Sequence, residues 1–283
     1  MSYLVCDIGG TKTRVGLTND LKKLDQVLSF HTPLTFKAGL KTLLDTADKL
    51  VPKRKVKGLA IGIRGVLNED HTGLANDSVL SGWSEHSIVR ELEKHYGKTP
   101  VWLENDTALA GLGEAVFGAG KGIDIVVYHT VSTGVGGVKV EYGELDVASV
   151  GFEPGHQVLD IDRTILGADI TPTLENLVSG TALENRLGVK PYDIPQSDLI
   201  WDELAEYLAQ GLRNTILYWS PDAIVLGGSM IIGDPKIPLE AIRKYTVEIL
   251  NDFVPCPFIT TAALGDEAGL YGGMALIRKN LEK

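Results

Sequence analysis

Cysteine is nearly absent. There are two in 283 residues, Cys6 inside an apolar run and Cys256 between Pro255 and Pro257. Two isolated thiols build neither a disulfide framework nor a thiolate metal site, so the chain has to stand on its core. Positive charge is also short, with 27 lysines and arginines against 37 acids and a net charge of -10. That balance excludes a sequence-independent grip on nucleic acid, which needs a basic face. It still allows phosphates to be held locally by backbone N–H groups and one or two cations. No apolar run approaches the roughly 20 residues of a membrane span, and no basic segment leads into an apolar run at Met1. The expectation is a cytoplasmic protein that engages neither membrane nor nucleic acid.

What is present suits two domains. The length exceeds what one core comfortably serves, and 44% hydrophobic residues can fill a core in each half. Tyr3 to Ile8 reads as a buried strand, followed by Gly9-Gly10-Thr11-Lys12-Thr13 and then Val15 and Leu17 in alternation. That is a strand, a glycine turn and a strand. Gly10, Lys12 and Thr13 hint at a Walker loop, but such a loop needs more residues and a helix after it. The same plan recurs at Ile125 to Thr130, Val131-Ser132-Thr133-Gly134-Val135-Gly136-Gly137, and the alternating Val138 and Val140. Each turn reads either as an ordinary hairpin or as a place where glycine lets the backbone approach a phosphate. Their duplication suggests two related domains.

A third stretch joins them. Val101 to Leu103 predicts a strand and Ala108 to Val116 a helix of small residues, with Glu104-Asn105-Asp106-Thr107 at the junction. A carboxylate there lies where open α/β sheets present their working groups. Asp106 is a candidate base, or Asn105 and Asp106 cap the helix. Elsewhere Phe36 to Leu50 and Leu199 to Trp219 read as helices, Gly58 to Ile63, Asp222 to Leu226 and Phe258 to Thr261 as strands, and Ala268 to Ile277 as a last helix.

Five motifs thus stand in order: Asp7-Ile8-Gly9-Gly10-Thr11-Lys12, Asn105-Asp106, Ser132-Thr133-Gly134-Val135-Gly136-Gly137, Glu153-Pro154-Gly155-His156 and Leu226-Gly227-Gly228-Ser229. Over nearly the whole chain they resemble the ROK sugar kinases of the actin-like ATPase (ribonuclease H-like) fold. The resemblance implies an α/β protein of two lobes with mixed sheets and a nucleotide cleft between them. The first lobe would be 1–105 plus about 265–283, and the second 106–264. ATP and Mg2+ would be bound, Asp7 holding the magnesium through water and Gly9, Gly10, Thr11 and Lys12 forming the first phosphate turn. Thr133 and Gly134 would form the second, with Gly228 and Ser229 bordering the adenosine. Asn105, Asp106, Gly65, Glu153, His156 and Glu175 would hold a hexose, and Asp106 would take the hydroxyl proton. The implied reaction carries the γ-phosphoryl of ATP to a hexose, at the 6-hydroxyl of glucose or a relative, in a homodimer. An N-acetylmannosamine or N-acetylglucosamine kinase, a sugar-sensing regulator and an actin-like assembly ATPase are the alternatives. For the regulator, Asp7 leaves no room ahead of it for a DNA-binding helix-turn-helix.

Three departures from that pattern mark this chain. Arg64 stands where such kinases usually carry proline, and either reaches an anionic group or is solvated. Val79 stands where asparagine is usual. Between His156 and Leu174-Glu175 the family's cysteine zinc motif is missing, so no zinc is expected. Its tie would come from packing of Val158, Leu159, Ile161, Ile165 and Leu166, with Asp160, Asp162 and Asp169 as solvated carboxylates.

Overall fold

The computed structural model describes residues 2–97, 99–148 and 151–282. The chain opens with three antiparallel strands, β1 (Ser2–Ile8), β2 (Lys12–Thr18) and β3 (Gln26–His31). The first connection closes with Gly9 N donating to Lys12 O at 3.1 Å. Helix α1 (Phe36–Leu50) leads to β4 (Val56–Ile63) and a small hairpin of β5 (Val66–Leu67) and β6 (Leu74–Asn76). Helix α2 (Ile88–Tyr96) starts where Ser87 accepts the Arg90 amide and stops at Gly97, whose φ of 72° suits glycine. Strand β7 (Val101–Asn105) then runs directly into α3 (Asp106–Val116).

The strands order as β3-β2-β1-β4-β7, with β4 parallel to both β1 and β7. Alternation along β1 splits its side chains between two cores. Leu4, Cys6 and Ile8 face the cluster with Phe36, Leu43 and Leu92, while Tyr3 and Val5 join Ala60 on the other side.

The second half repeats this plan. Strands β8 (Ile125–Val131), β9 (Val135–Glu141) and β10 (Glu144–Leu145) form a meander. Helices α4 (Leu174–Val178), α5 (Gly180–Leu187) and α6 (Ile200–Trp219) follow. Then come β11 (Ala223–Gly227), the short α7 (Ser229–Ile232), α8 (Leu239–Leu250) and β12 (Phe258–Thr261). The sheet order, β10-β9-β8-β11-β12, matches the first position for position, with β8, β11 and β12 parallel. Leu204, Leu208, Leu212 and Ile216 recur on one face of α6 and are buried, as their helical spacing predicts.

Helix α9 (Ala268–Glu282) returns to the first sheet, placing Leu270, Met274 and Ile277 in the cluster with Tyr3 and Val5. The chain divides into Met1–Phe117 with Asp266–Lys283, and Gly118–Gly265. The expected boundary after Asn105 is corrected by α3, which stays with the first unit. Its backbone lies directly on α9: a Cβ on Gly113 would fall on the Ala268 carbonyl, and one on Gly272 on the Leu109 carbonyl. Only glycine allows that approach. Gly272→Ala is therefore expected to destabilise the protein by at least ~1–3 kcal/mol, the usual cost of overpacking. Urea melts read it out; a midpoint within error of wild type would show that the two helices separate freely.

Candidate active site

In the first unit, adjacent strand ends bring the predicted groups together. Asp7 in β1 and Glu104 in β7 are both register partners of Gly62 in β4, so Asp7 and Asp106 lie at the same end of the sheet. A Cβ on Gly62 would sit 3.3 Å from the Asp106 Cα, so the bare residue lets α3 start close to the sheet. Asn105 is the helix cap: its Oδ1 accepts the Ala108 amide at 3.1 Å, and its Nδ2 donates to Gly65 O at 3.1 Å. The carboxylate after it is thereby free of the capping role. Asp106 accepts instead from the Thr107 amide at 2.8 Å. Burial pushes the Asp106 carboxyl above its usual range, against the Thr107 bond and the Arg64 charge.

Asp7 is more strongly perturbed. Burial, aided by the Asp106 charge, lifts its carboxyl to about 7, with Arg14 opposing. Arg14, its register partner in β2, comes within 3.6 Å and also pairs with Asp266. The Gly269 backbone lies alongside, where a Cβ would stand 3.3 Å from the Asp7 Cγ. A desolvated carboxyl beside an uncluttered backbone fits a hard dication such as Mg2+ held through water. Among the described residues no three His, Cys, Asp or Glu side chains are grouped to hold a metal alone, so water or phosphate oxygens would complete its shell. Gly9, Gly10, Thr11 and Lys12 form the turn beside it, with Lys12 exposed and Gly9 O accepting from the Thr32 hydroxyl at 2.8 Å. Arg64 is not a solvated arginine. Its Nε donates to Asp77 at 2.9 Å, and Asp77 is buried at 8% exposure.

The second unit collects the remaining predicted residues around β8 and β9. The Glu153-Pro154-Gly155-His156 segment packs on β9: a Cβ on Gly155 would fall on the Val135 carbonyl, and one on Gly137 would lie 2.7 Å from Pro154 Cγ. Glu153 and His156 are exposed. Glu175, in the first turn of α4, accepts the Val135 amide at 2.8 Å and lies against Gly134. The Ser132 and Ser229 hydroxyls meet at 2.9 Å, linking the second turn to the one after β11. Gly228, with φ of 86°, brings that turn onto the Val131 backbone. Beside them opens a cleft of about 460 Å³, lined by Thr133, Thr181, Glu184, Lys190, Tyr192 and Ser229 among others. Its size suits a nucleoside.

The segment after His156 departs from expectation. Val158, Ile161 and Ile165 are exposed at 52%, 76% and 42%, so they do not pack beneath it. Leu166 is buried at 2% and Leu159 leans on the same core, yet the organising group is Asp160, 4% exposed rather than solvated. Its Oδ1 accepts the Thr164 amide at 2.9 Å, and its Oδ2 the Ile165 and Leu166 amides at 3.2 and 2.7 Å. A carboxylate collecting three successive N–H groups ties the loop as a bound ion would. Leu174 N donates to Gln157 O at 3.0 Å and closes its base. Arg14, Asp77 and Asp160 are the residues that sequence reasoning missed. Each acts through a partner that has no spacing signature.

Set against known proteins, the duplicated sheet order and paired glycine hairpins define a mixed α/β protein of the actin-like ATPase fold. A sequence model of the ROK family matches residues 3–280, and the chain belongs to that family. The ROK hexokinase of Thermus thermophilus superposes with a TM-score of 0.85 at 27% identity, covering 100% of both chains. A ROK family glucokinase from Streptomyces griseus, in complex with glucose and AMPPNP, gives 0.80 at 24% identity over 99% of this chain and 100% of that one. The fructokinase of Lactococcus lactis subsp. cremoris is 27% identical over 90% of this chain and 87% of its own.

The Asp160 tie has a signed pH consequence. The Leu166, Ile165 and Thr164 amides hold its carboxyl below the ordinary 3.8. Its stabilisation is therefore full above the unfolded value near 3.8 and is lost as pH falls through the lower folded one. Asp160→Ala is expected to speed proteolysis within 157–173 at neutral pH by on the order of tenfold, for loss of a charged acceptor of backbone bonds. Cleavage at the wild-type rate would mean that Leu166 and the loop base suffice.

Proposed function

We propose that the chain is an ATP-dependent hexose kinase, moving the γ-phosphoryl of ATP to a sugar hydroxyl, the 6-hydroxyl of glucose or a related hexose. One observation carries the reading: two half-buried carboxyls, Asp7 and Asp106, at the same end of the first sheet, beside a glycine turn that presents Lys12. Phosphoryl transfer has a loose transition state, so the protein aligns groups and offsets charge more than it makes bonds. Asp106 takes the hydroxyl proton, and its raised carboxyl makes it a stronger base than an ordinary aspartate. Lys12 and the N–H groups of its turn meet the phosphates, as do Thr133 and Gly134 in the second unit. Gly228 and Ser229 border the adenosine. Asn105, Gly65, Glu153, His156 and Glu175 serve as hexose ligands. Magnesium, held by Asp7 through water, would supply charge compensation for the β and γ oxygens. A cytoplasmic homodimer suits this role.

A coupled assay across glucose, fructose, mannose and their N-acetylated amines tests the reading. Sugar-dependent ADP release with an unmodified hexose is expected, and turnover confined to the N-acetylated amines would move the substrate class. ATP turnover indifferent to every sugar would sink the kinase reading. Asp106→Asn is expected to lower kcat at least ~10²-fold, the low end for loss of a general base. In wild type, kcat/KM should fall on the acid side with a midpoint above the ordinary 3.8, because the base must be ionised. A folded Asp106→Asn protein that keeps its rate would leave Asp106 a bystander.

A further inference from the structure

We propose that Arg64 is a catalytic residue of this chain, its guanidinium hydrogen-bonding the phosphoryl group as that group leaves the turn at Gly10 for the hydroxyl held at Asp106. This rests on the kinase reading above and adds a group to it. Four features of the first unit carry it.

Arg64 follows the last residue of β4, with its amide donating to Ile8 O at 3.1 Å, so its backbone is pinned between the strand that bears Asp7 and the start of the Gly9-Gly10 turn. Its side chain lies over that turn. A Cβ built on Gly10 would stand 2.9 Å from Nη1 and 3.2 Å from Cδ, so the turn is bare where the arginine crosses it. Its charge also reaches Asp106, whose carboxyl it pulls down against burial. The guanidinium therefore lies over the first of the two places between which a phosphoryl group has to travel and within electrostatic reach of the second.

The fourth feature is how the side chain is held. Nε donates to Asp77 Oδ2 at 2.9 Å. Asp77 is itself fixed, its Oδ1 accepting the Val79 amide at 2.8 Å and the Leu80 amide as well. Among the described residues Asp77 is the sole hydrogen-bond partner of the Arg64 side chain, and that side chain is 34% exposed. The planar fork is thus oriented through Nε while Nη1 and Nη2 keep their protons for a ligand. Merely neutralising Asp77 would not need an arginine. An asparagine at 77 could accept the same two amides with no charge to balance.

In the step itself, the bond from phosphorus to the bridging oxygen of ADP breaks and ADP leaves with its electron pair. The bond from phosphorus to the sugar oxygen forms, and the hydroxyl proton passes to the Asp106 carboxylate. Negative charge rests on the equatorial phosphoryl oxygens throughout, and two fixed N–H donors there stabilise the transition state more than either ground state.

Steady-state kinetics on purified full-length variants test this. Arg64→Ala is expected to lower kcat by ~10²- to 10³-fold, the loss seen for a preorganised charge-stabilising donor, with sugar KM changed less than about threefold. Millimolar guanidinium should restore at least about tenfold of the lost rate, which a purely structural defect would not show. Should Arg64→Ala not fold, Arg64→Gln serves, since its amide can still donate to Asp77; the same loss of kcat is expected. A folded variant with kcat within about threefold of wild type overturns the proposal and leaves the kinase reading standing. So does a large rise in sugar KM at unchanged kcat, which would place Arg64 on the sugar instead. Wild-type protein that phosphorylates no sugar overturns both.

Discussion

Two half-buried like charges within electrostatic reach of each other constrain the whole first unit. Asp7 and Asp106 sit at the same end of the sheet, at the ends of the strands that flank β4, and desolvation already disfavours each ionised form before any repulsion is added. The chain answers with two arginines placed by different means. Arg14 is the register partner of Asp7 across the β1–β2 hairpin, so its placement follows from strand pairing alone. It also pairs with Asp266, just ahead of α9, which links the returning helix to the charge it helps to cover. Arg64 comes off β4 and is steered by Asp77. Removing either arginine would leave a desolvated carboxylate uncompensated, which costs far more than loss of a surface ion pair.

The parts of this arrangement legible in the sequence are those with a period. The apolar run Tyr3 to Ile8 and the alternation at Val15 and Leu17 and around Val138 and Val140, with glycines between strands, predict both hairpins; the repeated pattern predicts the shared sheet plan. Asn105 next to Asp106 at a strand-to-helix junction announces a cap and a carboxylate, and both are there. Contacts set by backbone proximity leave no such trace. Nothing in the spacing of Gly113 and Gly272 says that α3 lies on α9, and without that contact the sequence pattern puts the unit boundary ahead of α3 instead of after Phe117. Asp77 and Arg64 are thirteen positions apart in unrelated elements, and their pairing emerges only once β4 and the β5–β6 hairpin are folded.

The loop after His156 shows why hydrophobic content misleads outside regular structure. Five apolar side chains in nine residues look like a buried patch, yet without helix or strand periodicity they have no common face. Three of them point to water. A single carboxylate does better because three successive amides already converge in a turn, and each is a donor that burial would otherwise orphan. Asp160 satisfies them locally, so the loop folds around an anion of its own.

The two hairpins have diverged in charge while keeping their shape. Aligning the last register pairs, Ile8 with Thr13 and Val131 with Val135, sets Asp7 opposite Thr130 and Arg14 opposite Gly136. The second turn thus carries hydroxyls and bare backbone where the first carries an ion pair. Glu175, which lies against it, spends an oxygen on the Val135 amide. A polyphosphate brings several negative charges of its own, and each carboxylate placed against it needs a cation to offset the repulsion. On the proposed kinase reading, Asp7 equips the first hairpin for a dication, and an acid at the Thr130 position would ask for a cation in a chain already poor in them. Neutral donors such as those of the second turn can hold phosphate oxygens without that demand, so on that reading a difference in charge needs no difference in fold.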